Sequence, residues 1–243
     1  MNGLMSTVKQ DQREGAVPAG TRWDLVKKIV WRILLLVLIL GAMLFLPAGS
    51  FRYWQAWTYL AVVFLPFLVV ITVGLFKVPE LLERRLRMKE KEKKQQAIMK
   101  LAYPAFLAQF LLPGFDRRFG WSMVPVALVI AADVVVLVSY LWIVHVLWEN
   151  RYASRIVEVD KKQTVIDTGP YAVVRHPMYS GVLPMYVISP LALGSFWALI
   201  PALLVVAAII ARIFNEEEVL SRDLDGYAAY MRRVKYRLIP GIW

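Results

Sequence analysis

The sequence predicts an all-α polytopic membrane protein of about six transmembrane helices, with a C-terminal helical hairpin that gathers polar residues at one membrane face. Three observations carry this reading. Of the 243 residues, 59% are hydrophobic and the mean hydropathy is +0.53, whereas a soluble domain is about 45–50% apolar. Stretches such as Ile33–Leu46 and Val182–Ile210 hold no charged residue at all. The basic residues collect between the apolar runs, as they do in loops on the cytoplasmic side of a membrane.

Composition also excludes function classes. The chain has no cysteine, so it is neither a disulfide scaffold nor a thiol catalyst, and it has no Cys-ligated zinc. Two histidines, His145 and His176, do not make a His-based metal cluster, and no metal site is expected. The 29 Lys and Arg residues against 18 Asp and Glu give a formal charge of +11. Without a nucleic-acid motif, that excess fits loops facing anionic lipid and not a nucleic-acid partner.

Residues 1–21 are polar, contain Gly and Pro, and read as a disordered tail. Ile29–Leu46 covers about 27 Å as a helix, enough to cross a bilayer core, and lacks a signal-peptide cleavage site. Trp57–Phe76 is the second span, and Trp121–Leu147 is a span long enough to tilt. Gly181–Ile213 is too long for one crossing. A break at Leu193-Gly194-Ser195-Phe196 makes it a hairpin, with Pro184, Pro190 and Pro201 expected to kink the arms. The mixed charges of Glu80–Lys94 suggest a solvated helix within a basic loop over 77–96. Weak alternation within 151–170 suggests a short hairpin over the membrane face.

Ala97–Phe115 is ambiguous by hydropathy, and charge decides it. Five basic residues precede the first span, nine lie in 77–100, five in 149–178 and six in 212–243. Only Arg52, Arg117 and Arg118 fall on the other side, with Arg32 in the first turns of span one. The positive-inside tendency holds everywhere only if Ala97–Phe115 crosses. Six spans with both termini cytoplasmic follow. The chain divides into the tail (1–21), an N-terminal helical part (22–148) and a C-terminal region (149–243).

The chemistry concentrates in that last region. Gly169-Pro170-Tyr171 leads to Arg175-His176-Pro177-Met178-Tyr179-Ser180-Gly181, the hairpin follows, and Arg212-Ile213-Phe214-Asn215-Glu216-Glu217-Glu218 comes straight after it. His176 lies 18 residues before Gly194 and Glu216 lies 22 after it. Two arms of similar length return to the same side, so these segments should meet at the interface. Ionisable groups at a membrane boundary are costly and often functional. Arg175 and Arg212 are the candidate catalytic residues, because a guanidinium holds an acidic group in a fixed fork. The plainer alternatives stay open: Arg212 and Glu216 stand at i, i+4 and can pair along a helix, Arg175 can snorkel, and Pro177 suits a helix start. Asp133, midway along its span, either pairs with a neighbouring helix or lines a polar pocket. The tail carries Tyr227 and Tyr230 on one helical face and ends Tyr236-Arg237-Leu238-Ile239-Pro240-Gly241-Ile242-Trp243. It is either an interfacial helix or a cover over the site.

At these residues the chain resembles the isoprenylcysteine carboxyl methyltransferase-like integral membrane methyltransferases, relatives of the phospholipid methyltransferases. The matching features are the Gly-Pro-Tyr…Arg-His-Pro-Met-Tyr-x-Gly block, the apolar hairpin, the Glu-Glu pair and the Gly-Tyr-x-x-Tyr…Arg-Leu-Ile-Pro tail, over roughly residues 149–243. The resemblance implies S-adenosylmethionine bound at the cytoplasmic face. It places Gly169, Tyr171, His176, Pro177 and Tyr179 in the first cofactor segment, and Glu216 and Glu217 on the acidic pair. Leu220 then falls where the Glu-Glu-x-x-Leu pattern requires it, although Glu217 and Glu218 also remain possible. The implied acceptor is a lipophilic small molecule or prenylated substrate entering from the membrane lipids, with the carboxylate of an isoprenylcysteine-like compound as one candidate and an amine as another. Membrane sterol reductases share part of the C-terminal block but use NADPH, and a non-catalytic adaptor could keep the same fold. Oligomeric state is not readable from the chain.

Overall fold

A computed structural model describes residues 19–77, 90, 92–150 and 163–243. Among the described residues the structure is entirely helical. Seven α-helices follow in order: α1 (Ala19–Ala48), α2 (Trp54–Lys77), α3 (Lys93–Phe119), α4 (Val126–Glu149), α5 (Pro177–Ala192), α6 (Leu199–Asp223) and α7 (Tyr227–Arg233). A 3-10 turn, Gly169–Ala172, precedes α5. Helices α1, α2, α3, α4 and α6 are long and apolar enough to cross a membrane. The molecule is a polytopic all-α membrane protein.

The five long helices include α3, so Ala97–Phe115 lies within one continuous helix of 27 residues. Its two prolines, Pro104 and Pro113, do not end it. The hairpin turn falls where the Gly194 break predicted it, between the end of α5 at Ala192 and the start of α6 at Leu199. The arms are unequal. α5 has 16 residues, about 24 Å of helix, short of a bilayer core of about 30 Å. Pro184 and Pro190 lie inside α5. Pro201, expected to kink the other arm, sits instead in the first turn of α6, where a missing N–H interrupts no helical bond. α1 begins at Ala19, so the last three residues read as disordered tail are helical. Most of the predicted helix over Glu80–Lys94, and residues 151–162 of the predicted short hairpin, lie outside the described residues. Residues 163–168 have no regular structure.

The structure comprises two compact units that meet in sequence between Ile39 and Leu40. In the first, α1 exposes Trp31, Leu34 and Leu38, an apolar surface suited to lipid. In the second, Leu44, Phe45, Tyr53, Ala56, Tyr59, Phe110, Ala132 and Val136 belong to one buried core. The most extensive helix contact is between α4 and α5, followed by α3 with α6. Gly181 explains the first of these. A Cβ there would stand 2.8 Å from Ile143 Cγ1 and 3.0 Å from the Ser139 carbonyl, so only glycine lets α5 come this close to α4. Trp142 Nε1 donates to the Pro177 carbonyl at 2.8 Å and fixes the start of α5 against α4.

The hairpin turn is tied by polar bonds. The buried Asp116 carboxylate, near the end of α3, accepts from the Ser122 N–H and hydroxyl at 2.6 Å each and from the Ser195 hydroxyl at 2.5 Å. Tyr53 donates to the Leu193 carbonyl at 2.5 Å. Four separate stretches of chain are thereby fixed at that end, and they set the register in which α5 and α6 run back together. In mid-bundle, Asp133 is buried and keeps Oδ1 without a partner.

Candidate active site

The far ends of α5 and α6 bring together the two segments the hairpin geometry joined. Helical periodicity on α6 sorts the three glutamates. Arg212, Asn215 and Glu216 share one stripe at i, i+3 and i+4, Glu217 is turned about 100° from Glu216, and Glu218 faces away. Glu217 is only 5% exposed. Glu218 is exposed and paired with Lys94 at 2.8 Å. Glu216 and Glu217 therefore face the cluster and Glu218 does not.

Glu217 is the hub. Its Oε1 accepts from Arg175 Nε at 2.7 Å and lies 3.3 Å from His176 Nε2. Its Oε2 accepts from Arg237 Nε at 2.9 Å. A buried carboxylate is tolerated only with such compensation. Arg175, itself buried, also donates through Nη1 to the Val234 and Lys235 carbonyls at 2.9 and 2.7 Å. Its Nε is thus engaged by Glu217 of α6 and its Nη1 by the tail. His176 stands immediately before α5, and Pro177 takes the first helical position.

The tail crosses this cluster as a strap. The Arg175 and His176 N–H groups donate to the Tyr236 and Arg237 carbonyls, each at 2.9 Å, and the Ser180 hydroxyl donates to the Leu238 carbonyl at 2.9 Å. Arg237 lies over the Phe214 ring at 4.9 Å and the Trp243 ring at 5.6 Å. A small apolar cluster of Leu224, Tyr227, Tyr230 and Val234, packed with Val165, seats the strap. The tail is therefore a cover as well as a short helix. Tyr230 donates to the Tyr171 carbonyl at 2.7 Å. Burial, with the Glu217 and Glu216 carboxylates nearby, pushes the Tyr227 hydroxyl well above the usual phenol range, so it stays an O–H donor. That hydroxyl is buried and has no partner.

Glu216 is half-buried. Its Oε2 accepts from the Tyr179 hydroxyl at 2.7 Å, and that hydroxyl in turn accepts from Arg212 Nε at 3.0 Å. Arg212 Nη1 lies 3.8 Å from Glu90 Oε2.

Gly169 and Tyr171 sit beside the cluster, held by the end of α4. Gly169 has φ +52°, and a Cβ there would come 2.9 Å from the Glu149 carboxyl carbon. Thr168 donates to that carboxylate, and Asn150 Nδ2 donates to the Tyr171 hydroxyl at 3.1 Å.

Every residue predicted for the site lies in this one region or in the turn that abuts it. Arg237, Glu149 and Asn150 also contribute, and Gln95 of α3 donates through Nε2 to the Arg212 carbonyl at 3.1 Å; none of the four was singled out from sequence. The Arg-Leu-Ile-Pro motif was the signal for Arg237; the others stand in stretches with no motif.

Residues 126–225 match the phospholipid methyltransferase family. The match takes in α4, the Gly169–Gly181 block, α5 and the α6 glutamates, and begins at 126, ahead of the start of the C-terminal region drawn at 149 from sequence. It stops before α7 and the strap. No curated protein matches the chain. The phospholipid methyltransferase match agrees with the integral membrane methyltransferase resemblance carried by the Arg-His-Pro-x-Tyr block.

Proposed function

We propose that this protein is an integral membrane S-adenosylmethionine-dependent methyltransferase that acts on a lipophilic acceptor at the cytoplasmic face. The observation that supports it best is the cluster of Glu216, Glu217, His176 and Tyr179 within the family-matched segment, beside the unpartnered Tyr227 hydroxyl.

The residues suit that cofactor. It carries an ammonium, a carboxylate and ribose hydroxyls, and carboxylates bind ammonium and hydroxyl groups by charge-assisted hydrogen bonds. Glu216 is accessible enough to do so. The Tyr227 hydroxyl is a buried donor that native structures rarely leave unmatched. Gly169, Tyr171, Pro177 and His176 form the adjoining wall. When bound, S-adenosylmethionine supplies a methyl group activated by its sulfonium. The protein's own part is alignment and exclusion of water. Arg175 and Arg237 lock the strap onto Glu217 and close the site, so Arg175 is read as a positioning residue. Arg212, on the stripe that carries Glu216, is the guanidinium placed to face an acidic acceptor, and the carboxylate of an isoprenylcysteine-like substrate fits that role. Such a carboxylate needs no general base. The distribution of Lys and Arg between the spans supports the cytoplasmic placement.

Calorimetry on the detergent-purified protein tests this. S-adenosylhomocysteine should bind in the micromolar range, about −8 kcal/mol. Binding of NADPH without response to either sulfur compound would establish the reductase reading instead, and binding of neither would indicate an adaptor.

A further inference from the structure

The turn end of the bundle carries a patch of positive charge that the candidate site does not use. Arg52, Arg117 and Arg118 are exposed there, and among the described residues none of the three forms an ion pair. Two observations set the guanidiniums of Arg117 and Arg118 on one short loop, the one that joins α1 to α2. Arg117 Nη2 donates to the Arg52 carbonyl at 3.3 Å. The Arg118 guanidinium lies 3.8 Å from where a Cβ on Gly49 would stand. Among the described residues the one carboxylate near them, Asp116, is buried and already taken by Ser122 and Ser195. Exposed aromatic rings accompany both parts of the patch. In the loop, Phe51 is exposed and its carbonyl accepts from Trp57 Nε1 at 2.9 Å. On α3, the Phe119 ring lies 5.6 Å from the Arg118 guanidinium and stacks on Trp121 at 5.5 Å, and both rings are exposed. Such rings gather at the head-group level of a bilayer, which is the depth of lipid phosphates.

We propose that Arg117 and Arg118, laid on the Gly49–Arg52 loop, form a surface that holds the phosphate of an anionic phospholipid in the leaflet facing the turn end. Charge complementarity selects the occupant. A guanidinium takes a phosphate in a two-pronged fork, and two such groups meet here with no carboxylate of their own. The rings of Phe51, Phe119 and Trp121 then stand against the glycerol and the upper acyl chains. A lipid satisfies both halves of the patch, whereas a free anion leaves the rings uncovered. A net-anionic head group is preferred to a zwitterionic one, because the patch offers nothing acidic to a head-group cation. The contact also has a structural consequence. The loop and the end of α3 are tied to the hairpin turn through Tyr53 and Asp116, so a lipid held here braces the register of α5 and α6 from outside. The surface lies at the opposite end of the hairpin from the cluster around Glu217 and does not depend on the methyltransferase reading.

The test is native mass spectrometry of the detergent-purified full chain titrated with dioleoylphosphatidylglycerol or dioleoylphosphatidylcholine, each protein at equal folded concentration. Arg118→Glu is the first variant, because among the described residues that side chain donates no hydrogen bond and its reversal breaks none. Arg117→Gln is the second. Lys100→Glu is the control, since it makes the same charge change at an exposed residue of α3, about 27 Å along the helix. The parent should hold phosphatidylglycerol several-fold more tightly than phosphatidylcholine. Arg117→Gln should weaken phosphatidylglycerol binding roughly fivefold, the effect of one basic residue at an anionic surface, and Arg118→Glu about tenfold. Lys100→Glu should change it by less than about twofold. Parental phosphatidylglycerol affinity in both arginine variants, an equal loss in Lys100→Glu, or equal affinity of the parent for the two lipids overturns the proposal. Displacement of the lipid by millimolar inorganic phosphate also overturns it, because the patch would then be a site for a free anion.

Discussion

The two ends of the α5–α6 hairpin use similar polar residues to opposite effect. At the turn, Asp116 is saturated by three short bonds from Ser122 and Ser195, and Gln55 Oε1 is the unpartnered buried atom there. At the open end, Glu217 joins two arginines and a histidine. Around that cluster the Tyr227 hydroxyl, Gln95 Oε1 and both amide atoms of Asn215 lack partners. A closed network fixes geometry and asks for nothing more. Unmet buried groups beside a charged network support the proposed reading of the open end as a binding site. Buried charge alone does not separate the two ends; the number of unmet polar atoms around it differs, one at the turn against several at the open end.

The comparison breaks most visibly at Glu217. Glu217→Ala leaves the buried Arg175 and the part-exposed Arg237 without their carboxylate, and loss of one partner of a buried pair costs about 3–5 kcal/mol. The strap should detach, and limited proteolysis should cut after Arg237 or Lys235 in the variant while the parent resists. A variant that melts with the parent and resists cleavage would mean the strap is held by its apolar cluster alone.

A smaller effect is expected at Gly169. Alanine there meets both the left-handed backbone and the Glu149 carboxylate, and the backbone term alone is about 1–2 kcal/mol. Gly169→Ala should lower S-adenosylhomocysteine affinity by roughly tenfold, which corresponds to about 1.4 kcal/mol. Binding equal to the parent would remove the 3-10 turn from the site.

The smallest lies at Phe214. Replacing it with leucine removes one of the two rings under Arg237, worth about 0.5–1 kcal/mol at a partly exposed cation–π contact. A melting temperature lowered by no more than a few degrees, with strap protection retained, is the expected result. Loss of protection equal to that in Glu217→Ala would show that the aromatic contact and not the ion pair holds the strap.

Much of this was legible in the sequence, for physical reasons that can be named. Uninterrupted apolar runs gave the helices, Gly194 gave the turn, and the similar distances of His176 and Glu216 from it gave their meeting. Charge placement gave the crossing of Ala97–Phe115 where hydropathy was equivocal. Arg175 shows where such reading ends. From sequence it was a candidate to hold the acceptor, yet its Nε and Nη1 hold Glu217 and two carbonyls some 60 residues away. Backbone carbonyls have no sequence signature, so a partner of that kind is invisible until the tail is placed. Gln95 was hidden for a related reason. It stands in a basic, polar stretch, and only its docking against the Arg212 carbonyl turns an ordinary glutamine into a buried one. Pro201 marked a kink by residue type alone, but its effect depends on being in a first turn.

The central claim is that the open end binds cofactor and the turn end does not. The most direct measurement is S-adenosylhomocysteine affinity in Glu216→Gln and Asp116→Asn, each compared with the parent at equal folded concentration. Glu216 is half-buried and bonded through Tyr179, so the glutamine should fold while its lost charge weakens binding tenfold or more. Asp116→Asn should lower the melting temperature and leave affinity within twofold. Equal affinity in Glu216→Gln, or a tenfold loss in Asp116→Asn with the fold intact, would contradict the account.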